Sequence, residues 1–218
     1  MKKIKTAIIS VSDKRNLKSL LDILKKNKIQ IISSGGTYKE IKKLKFKCLE
    51  VSKFTNFPEI LEGRIKTLHP KIHAGILNKR NRKSHLKDNN FENIDLVIVN
   101  FYPFEKTLSL TKSHKKIIEN IDIGGPTMVR SAAKNYKDVT VITSSNQYDE
   151  LIQELKKNKG STTLNFREKL SRIAFTETAY YDSIISNYFN KITNTTFPKK
   201  RIFHGNLIEK LRYGENPH

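Results

Sequence analysis

Apolar and polar residues follow each other along this chain in two alternating patterns. Short, mainly apolar runs predict strands at residues 5–11, 29–33, 46–51, 94–101 and 139–143. Segments with apolar residues three and four positions apart predict helices at residues 14–26, 37–44, 58–62, from 126 onward, 148–157 and 164–189. From residue 193 the periodicity lapses, so this part is interpreted as a linker followed by the start of another unit.

The alternation of strands and helices predicts an α/β fold with a mostly parallel central sheet flanked by helices. The run 94–101 is apolar almost throughout, as in a parallel strand that is buried on both faces. Ligands of such sheets bind beyond the carboxyl ends of the strands. The site is therefore expected around residues 10–14, 33–37 and 100–103, which follow three strands and carry hydrogen-bonding side chains.

Residues 33–37, with the sequence SSGGT, have the composition of an anion-binding turn. Two glycines let a ligand approach the backbone, and the helix that follows presents unpaired N–H groups and a positive dipole end. Ser34 and Thr37 add hydroxyl donors, and Lys14 offers a full charge. An ordinary strand-to-helix turn has the same composition, so both interpretations stay open. The turn matches neither the Walker nor the Rossmann pattern, which argues against ATP and NAD.

Residues 63–77, GRIKTLHPKIHAGIL, are expected to begin with a loop that places two cations and a hydroxyl close together. In an extended chain Arg64 and Lys66 point to the same side, although taken alone this loop is more simply interpreted as two surface cations of a basic protein. His69 and His73 have the spacing of helical metal ligands, but Pro70 lies between them and no carboxylate is near. We therefore expect no metal.

In residues 121–135, IDIGGPTMVRSAAKN, the charged residues stand alone among small and apolar ones. Two glycines and Pro126 fit a tight turn into a helix. Asp122 enters this helix and Lys134 lies near its far end. A poorly solvated lysine is suited to proton transfer, but a core helix with one structural ion pair would have the same pattern.

The cysteine count, the length of the apolar runs and the net charge exclude some classes of protein and argue against others. Cys48 is the only cysteine, so neither an intrachain disulfide nor a thiolate metal cluster can form. The longest apolar run falls short of the roughly 18 residues of a membrane span, and we expect a cytosolic protein. The net charge of +21 comes mostly from dispersed lysines and not from an arginine-rich patch with aromatics. We therefore expect a solvated surface and no nucleic-acid partner.

Five motifs together carry a resemblance to a known family: SVSDK, SSGGT, GRIKTLHPKIHAGIL, VNFYPF and IDIGGPTMVRSAAKN, in this order from residue 5 onward. The chain resembles the cyclohydrolase domain of the bifunctional purine-biosynthesis enzymes that join AICAR transformylase to IMP cyclohydrolase. The likeness implies a methylglyoxal-synthase-like domain over residues 1–192. Residues 193–218, which end in LRYGENPH, are similar to a linker and the opening of the transformylase domain, so the chain is expected to be part of a longer protein.

The resemblance implies a methylglyoxal-synthase-like three-layer fold, a homodimer and no metal or organic cofactor for the cyclohydrolase. Its substrate would be formyl-AICAR ribotide, and its products inosine monophosphate and water. The longer protein would also carry formyltransferase activity, with 10-formyltetrahydrofolate as the co-substrate of the transformylase domain.

The matching motifs also assign roles to residues. The nucleotide and its 5′-phosphate are expected at Ser12, Asp13, Lys14, Ser34, Gly35, Gly36 and Thr37. A second edge is expected from Arg64, Ile65, Lys66 and Thr67, and a strand end from Val99 and Asn100. The base would be bordered by Tyr102, Asp122 and Ile123. Lys134 matches the family's proton-transfer lysine, with Lys66 as its electrostatic helper, whereas Arg212 and Tyr213 match contacts of AICAR in the transformylase domain.

Ring closure needs an attack of the carboxamide nitrogen on the formyl carbon, followed by loss of water. Good orientation can supply on the order of 7–11 kcal/mol of the barrier, and Lys66 or Tyr102 could stabilise the oxyanion. Whether Lys134 or Asp122 is the base stays open. The alternatives are a methylglyoxal-synthase-like lyase, which would rely on catalytic aspartates, and a regulatory nucleotide-binding domain without turnover.

Overall fold

A five-stranded parallel sheet forms the centre of the computed structural model, which describes residues 1–82 and 91–211. Two short strands, β1 (Lys2–Lys3) and β7 (Ser161–Thr162), pair antiparallel. The central sheet has the order β4-β3-β2-β5-β6 and consists of β2 (Thr6–Val11), β3 (Gln30–Ser33), β4 (Leu49–Glu50), β5 (Leu96–Asn100) and β6 (Thr140–Ile142). Because its strands are all parallel, their carboxyl ends share one edge.

Helices flank this sheet, so the predicted fold class is confirmed. They are α1 (Leu17–Lys26), α2 (Gly35–Lys43), α3 (Val51–Thr55), α4 (Pro70–Leu77), α5 (Phe104–Leu110), α6 (His114–Glu119), α7 (Gly124–Lys134), α8 (Tyr148–Lys157) and α9 (Leu164–Ile192). The leucine face of α1 is buried, and this helix packs against β3 and α8. Helix α7 packs against β5, β6, α4 and α9. A smaller apolar cluster joins α9 to α5 and α6.

Several predicted elements differ from those observed. A helix over residues 58–62 is wrong, because Leu61 has a φ of 51° and Gly63 a φ of 87°, which leaves only a 3-10 turn at Leu61–Gly63. The expected strand at 46–51 is reduced to β4, since Val51 already begins α3. Helices α5 and α6 were not predicted, because each spans less than two full heptads and lysines within and beside them obscure the apolar periodicity.

The segment that begins as the expected loop at residue 63 becomes helical from Pro70. Pro70 stands in the first turn, where its missing N–H costs nothing. His69 caps the helix, because its Nδ1 accepts a hydrogen bond of 3.1 Å from the Lys71 N–H. Ile72 and Ile76 supply a buried face. The second half of the motif thereby anchors the loop that carries Arg64 and Lys66.

Beyond Ile192 the described residues 193–211 form neither helix nor strand, in agreement with the lapse of the sequence pattern. The domain boundary after residue 192 stays a prediction. Among the described residues, no helix combines the length and the apolar character needed to cross a bilayer.

Candidate functional site

A cavity of about 550 Å³ opens at the carboxyl edge of the sheet, where β2, β3 and β5 end. The loop 63–67, the C-terminal end of α6 and the start of α7 complete its wall. The cavity therefore lies beyond the carboxyl ends of the three expected strands, and it brings together residues that are far apart in the sequence.

Ser34 and Gly36 line one end of this cavity, at the start of α2. The Ser34 side chain is only 3% exposed, and its hydroxyl has no hydrogen-bond partner among the described residues. A buried hydroxyl without a partner is costly unless a ligand satisfies it. Gly35 has a φ of 53°, which favours glycine, and the N–H groups of the first helical turn follow it. This end of the cavity therefore has the type of donor groups that bind anions at helix N-termini.

Basic side chains face the same end. A Cβ placed on Gly35 would lie 2.9 Å from Lys66 Nζ, so the Lys66 amine lies against the turn that begins α2. Lys14 also lines the cavity, and its Nζ donates to the Ser12 carbonyl at 3.4 Å. Arg64 forms an ion pair with Glu119 within the cavity wall. The cavity thus combines two lysines and an arginine with an unpaired hydroxyl at a helix N-terminus.

Asp122 lies on the cavity wall at the start of α7 and is half-buried. Its Oδ1 accepts a hydrogen bond of 2.8 Å from the Gly125 N–H. Burial raises the pKa of the Asp122 carboxyl, while backbone N–H groups of Gly125 and Tyr102 and the charge of Lys66 oppose the rise. A carboxylate with a raised pKa in a cavity is suited to accept and return a proton.

Asn100 holds the first loop of the site in place. Its Oδ1 accepts from the Ser12 N–H at 2.7 Å, the Ser12 hydroxyl at 2.8 Å and the Asp13 N–H at 2.9 Å. Its Nδ2 donates to the Asp13 carbonyl at 3.1 Å. The Asn100 amide therefore binds the backbone and the Ser12 hydroxyl of residues 12–13 and fixes their position at the cavity.

Because Asn100 satisfies several backbone groups, its loss is expected to destabilise the fold. We predict that Asn100→Ala lowers the free energy of unfolding by about 1–3 kcal/mol, the cost of leaving partly buried donors unpaired. Urea denaturation followed by circular dichroism measures this change. Asn146→Ala, at an exposed position of another loop, is the matched control. Equal stability of the two variants would contradict the role of Asn100.

Thr37 and Asp13 also serve the scaffold. The buried Thr37 hydroxyl accepts from the Val11 N–H and donates to the Val11 carbonyl, each at 3.0 Å, and so joins α2 to β2. The Asp13 carboxylate accepts from Arg15 and from the Ser145 hydroxyl. The hydrogen bonds of Arg15 hold the pKa of Asp13 well below its usual range. Asp13 is therefore engaged with Arg15 and the loop after β6.

Most residues singled out in the sequence meet in this cavity. It is lined by Ser12, Lys14, Ser34, Gly36, Thr37, Arg64, Lys66, Thr67, Asn100, Tyr102, Asp122 and Ile123. Four others do not line it, namely Asp13, Ile65, Val99 and Lys134, and Gly35 borders it only beside Lys66. Arg212 and Tyr213 lie outside the described residues. Val99 is buried within β5, and its side chain belongs to the core.

The expectation that Lys134 is poorly solvated is wrong for the single chain. Its side chain is exposed, and it occupies the last position of α7. Eleven residues at about 1.5 Å each place it about 15 Å from the end of α7 that forms the cavity wall. Lys134 therefore does not join Asp122 within one copy of the chain.

Sequence reasoning also missed part of the wall. Glu119 and its neighbours Ile118 and Ile121 enter the cavity from the end of α6. No periodic pattern marked this short helix. The ion pair between Arg64 and Glu119 joins segments 55 residues apart, which the sequence alone could not pair. His73, considered above as a metal ligand, instead contacts the Ser131 hydroxyl through Nδ1 at 3.1 Å.

The fold and the cavity together define a class: α/β domains with helices on both faces of a parallel sheet and a basic cavity at its carboxyl edge. The family model of the MGS-like domain matches residues 16–127, and the chain belongs to this family. A second family model, the AICARFT/IMPCHase bienzyme, matches residues 132–218.

Curated relatives are similar over the full chain. The bifunctional purine biosynthesis protein PurH of Bradyrhizobium diazoefficiens is 45% identical over 100% of this chain and 42% of its own length. PurH of Clostridioides difficile is 48% identical over 98% of this chain and 42% of its own length. The chain thus spans about two fifths of these relatives. A crystal structure of ForH matches with a TM-score of 0.75 at 28% identity, covering 85% of this chain and 99% of that chain.

Proposed function

We propose that this chain carries IMP cyclohydrolase activity and closes the purine ring of formyl-AICAR ribotide to give inosine monophosphate and water. The observation that carries the proposal is a single cavity that combines an anion-binding end with a partly buried carboxylate, Asp122. The names of the PurH relatives, which refer to bifunctional purine biosynthesis, support the same substrate class.

The 5′-phosphate of the ribotide would bind where α2 begins. The unpaired Ser34 hydroxyl and the first N–H groups of α2 would donate to the phosphate oxygens, and Lys66 and Lys14 would neutralise their charge. Ser12 and Asn100 keep the loop after β2 in register with this end. The base would then extend toward Tyr102, Asp122 and Ile123, which also line the cavity.

Asp122 is the proton-transfer group that the cavity supplies from this chain. As the carboxamide nitrogen attacks the formyl carbon, the carboxylate would take a proton from that nitrogen. Asp122 would give this proton to the oxyanion of the tetrahedral intermediate, which becomes a hydroxyl. It would then take the proton of the former formamide nitrogen and deliver it to that hydroxyl, which leaves as water. Lys66, whose charge acts on Asp122, and the Tyr102 hydroxyl would stabilise the oxyanion formed in between. Each step uses groups that already line the cavity.

We further propose that the chain works as a homodimer and needs no resident metal or organic cofactor for ring closure. A longer protein that contains it would also transfer a formyl group from 10-formyltetrahydrofolate in its transformylase domain, as the bienzyme match over residues 132–218 suggests. The cytosolic location stays a prediction.

Lys134 keeps a role in this proposal only as a contribution from a second copy. Its exposed amine lies at the end of α7 that is remote from the cavity, so it could act only on the cavity of the partner subunit. A symmetric dimer would then place the same contact twice, once in each cavity.

A methylglyoxal-synthase-like lyase on the same fold would use the same anion-binding end. It would rely on several catalytic aspartates, whereas the Asp13 carboxylate here is engaged by Arg15 and Ser145. A regulatory domain would bind the ribotide without turning it over. Each alternative predicts an experimental result that differs from ring closure.

The experiment is incubation of the chain with formyl-AICAR ribotide while the ultraviolet spectrum is followed. We expect the hypoxanthine absorption to develop at a rate proportional to protein concentration. Ribotide binding by calorimetry without this spectral change would favour the regulatory domain. Release of methylglyoxal from dihydroxyacetone phosphate would favour the lyase.

A further inference from the structure

We propose that Tyr181 is a positioning residue that fixes Asp122 in the cavity through its hydroxyl group. This inference rests on the proposed ring-closing function and adds a residue that does not line the cavity. Tyr181 lies on α9, the helix that runs from residue 164 to residue 192, and is 6% exposed.

The Tyr181 hydroxyl is bonded to the segment that carries Asp122. The Asp122 N–H donates to the Tyr181 Oη at 2.8 Å, and the same hydroxyl donates to the Asn120 carbonyl at 3.4 Å. These two bonds span the backbone immediately before α7. Together with the bond from the Gly125 N–H to Asp122 Oδ1, they hold the residue from both sides, by its backbone and by its carboxylate.

The ring of Tyr181 is itself fixed. Its centroid lies 5.0 Å from that of Phe101 and 6.2 Å from that of Phe104, in tilted and edge arrangements that aromatic pairs favour. Ile117 and Ile184 complete the apolar cluster around it. Burial raises the pKa of Tyr181 to about 12, so the hydroxyl keeps its proton and remains a donor near neutral pH.

The position of this ring links both candidate catalytic segments to one helix. The hydroxyl holds the backbone of Asp122, and the ring packs on Phe101, which directly precedes Tyr102. A phenylalanine at position 181 would keep the aromatic packing and remove only the hydroxyl. The Asp122 N–H would then lose its acceptor, and the turn before α7 would lose its fixed distance from α9.

The expected consequence is a loss in turnover rather than in binding. A displacement of a catalytic group by about 1 Å can cost about 100-fold in rate, so we expect Tyr181→Phe to lower kcat about 10- to 100-fold. KM for formyl-AICAR ribotide should change less than about threefold, because the anion-binding end lies on α2 and the loop 63–67. A general loss of fold would instead lower the amount of active protein and weaken binding.

Tyr188→Phe is the matched control. Tyr188 stands on the same helix, and its half-buried ring packs on the same aromatic cluster. Its hydroxyl pairs with His114 Nδ1 at 2.8 Å and does not line the cavity. For the unchanged chain and both variants, kcat, KM, the affinity for inosine monophosphate and the melting temperature are measured. We expect turnover to fall in Tyr181→Phe only, with nucleotide affinity retained in all three proteins.

Three results would overturn the inference. The first is a kcat of Tyr181→Phe within twofold of the Tyr188→Phe value. The second is a raised KM with unchanged kcat, which would give Tyr181 a part in binding. The third is a Tyr181→Phe variant that loses both its nucleotide affinity and its cooperative melting transition. The hydroxyl would then serve only the stability of the fold. If the unchanged chain binds the ribotide without closing the ring, the proposed function itself fails, and that result is separate from the comparison of variants.

Discussion

Replacing Asp122 by asparagine is expected to lower kcat for ring closure by about 10²- to 10⁴-fold, the usual contribution of general acid–base catalysis. Asparagine keeps the Oδ1 acceptor for the Gly125 N–H, so the turn before α7 should persist. It cannot take a proton from the attacking nitrogen. KM should stay within a few-fold, because the phosphate would be bound by Ser34, the first N–H groups of α2 and the two lysines, and not by Asp122.

The stability of this variant provides an independent check. Burial raises the pKa of Asp122 in the folded chain above its value in the unfolded chain. The folded state therefore favours the protonated form, and wild-type stability falls as the pH rises through the folded pKa. We expect Asp122→Asn to melt at a higher temperature than wild type at pH 7, with the difference shrinking as the pH falls toward about 4, the usual range of aspartate.

Asp22→Asn is the control for a simple change of charge. Asp22 lies on α1 and pairs with Lys18 on the exposed face of that helix. This variant should retain wild-type turnover. Wild-type turnover of Asp122→Asn would remove Asp122 as the base, whereas a lower melting temperature at pH 7 would show that its charge is stabilised rather than strained by the cavity.

The location of the cavity could be predicted because it depends on local patterns and one topological rule. Short apolar runs identified β2, β3 and β5, and parallel pairing brings their carboxyl ends to one edge. Ser34 and Asn100 therefore meet although they are 66 residues apart. The loop with Arg64 and Lys66 was placed by resemblance to a family, since its own composition allowed two surface cations.

The direction of individual side chains could not be predicted in the same way. Asn100 was expected to face a ligand, but its amide binds the backbone of residues 12–13, which reaches it through the pairing of β2 with β5. Tyr181 drew no attention within a long amphipathic helix, because its role depends on a turn 59 residues earlier. Such contacts are determined by packing between elements, about which periodicity within one element carries no information.

Lys134 illustrates a third kind of difference. The motif gave its position in the sequence, and helix geometry then placed it on the far end of α7 from Asp122. Two residues of one sequence motif can therefore lie at opposite ends of a helix, too far apart to act together within a single chain. The proposed homodimer would resolve this conflict, and the resolution can be tested.

We expect Lys134→Met to lower kcat by at least about 100-fold, the lower range for a proton-transfer group, while binding of inosine monophosphate is retained. Lys66→Met should be equally inactive. When the two inactive variants are unfolded together and refolded as a mixture, about a quarter of wild-type activity should return. Half of the random dimers are mixed, and each mixed dimer has one cavity with both lysines intact, as a two-fold symmetric interface requires.

The outcomes separate three arrangements. Lys137→Met is the matched control, because this neighbouring lysine is equally exposed just beyond α7, and it should retain full activity. Full activity of Lys134→Met would mean that Lys134 takes no part in catalysis. Loss of activity without recovery in the mixture would mean that Lys134 serves its own chain, provided that sedimentation shows mixed dimers. Recovery in the mixture, in contrast, requires that each cavity takes its Lys66 from one copy and its Lys134 from the other.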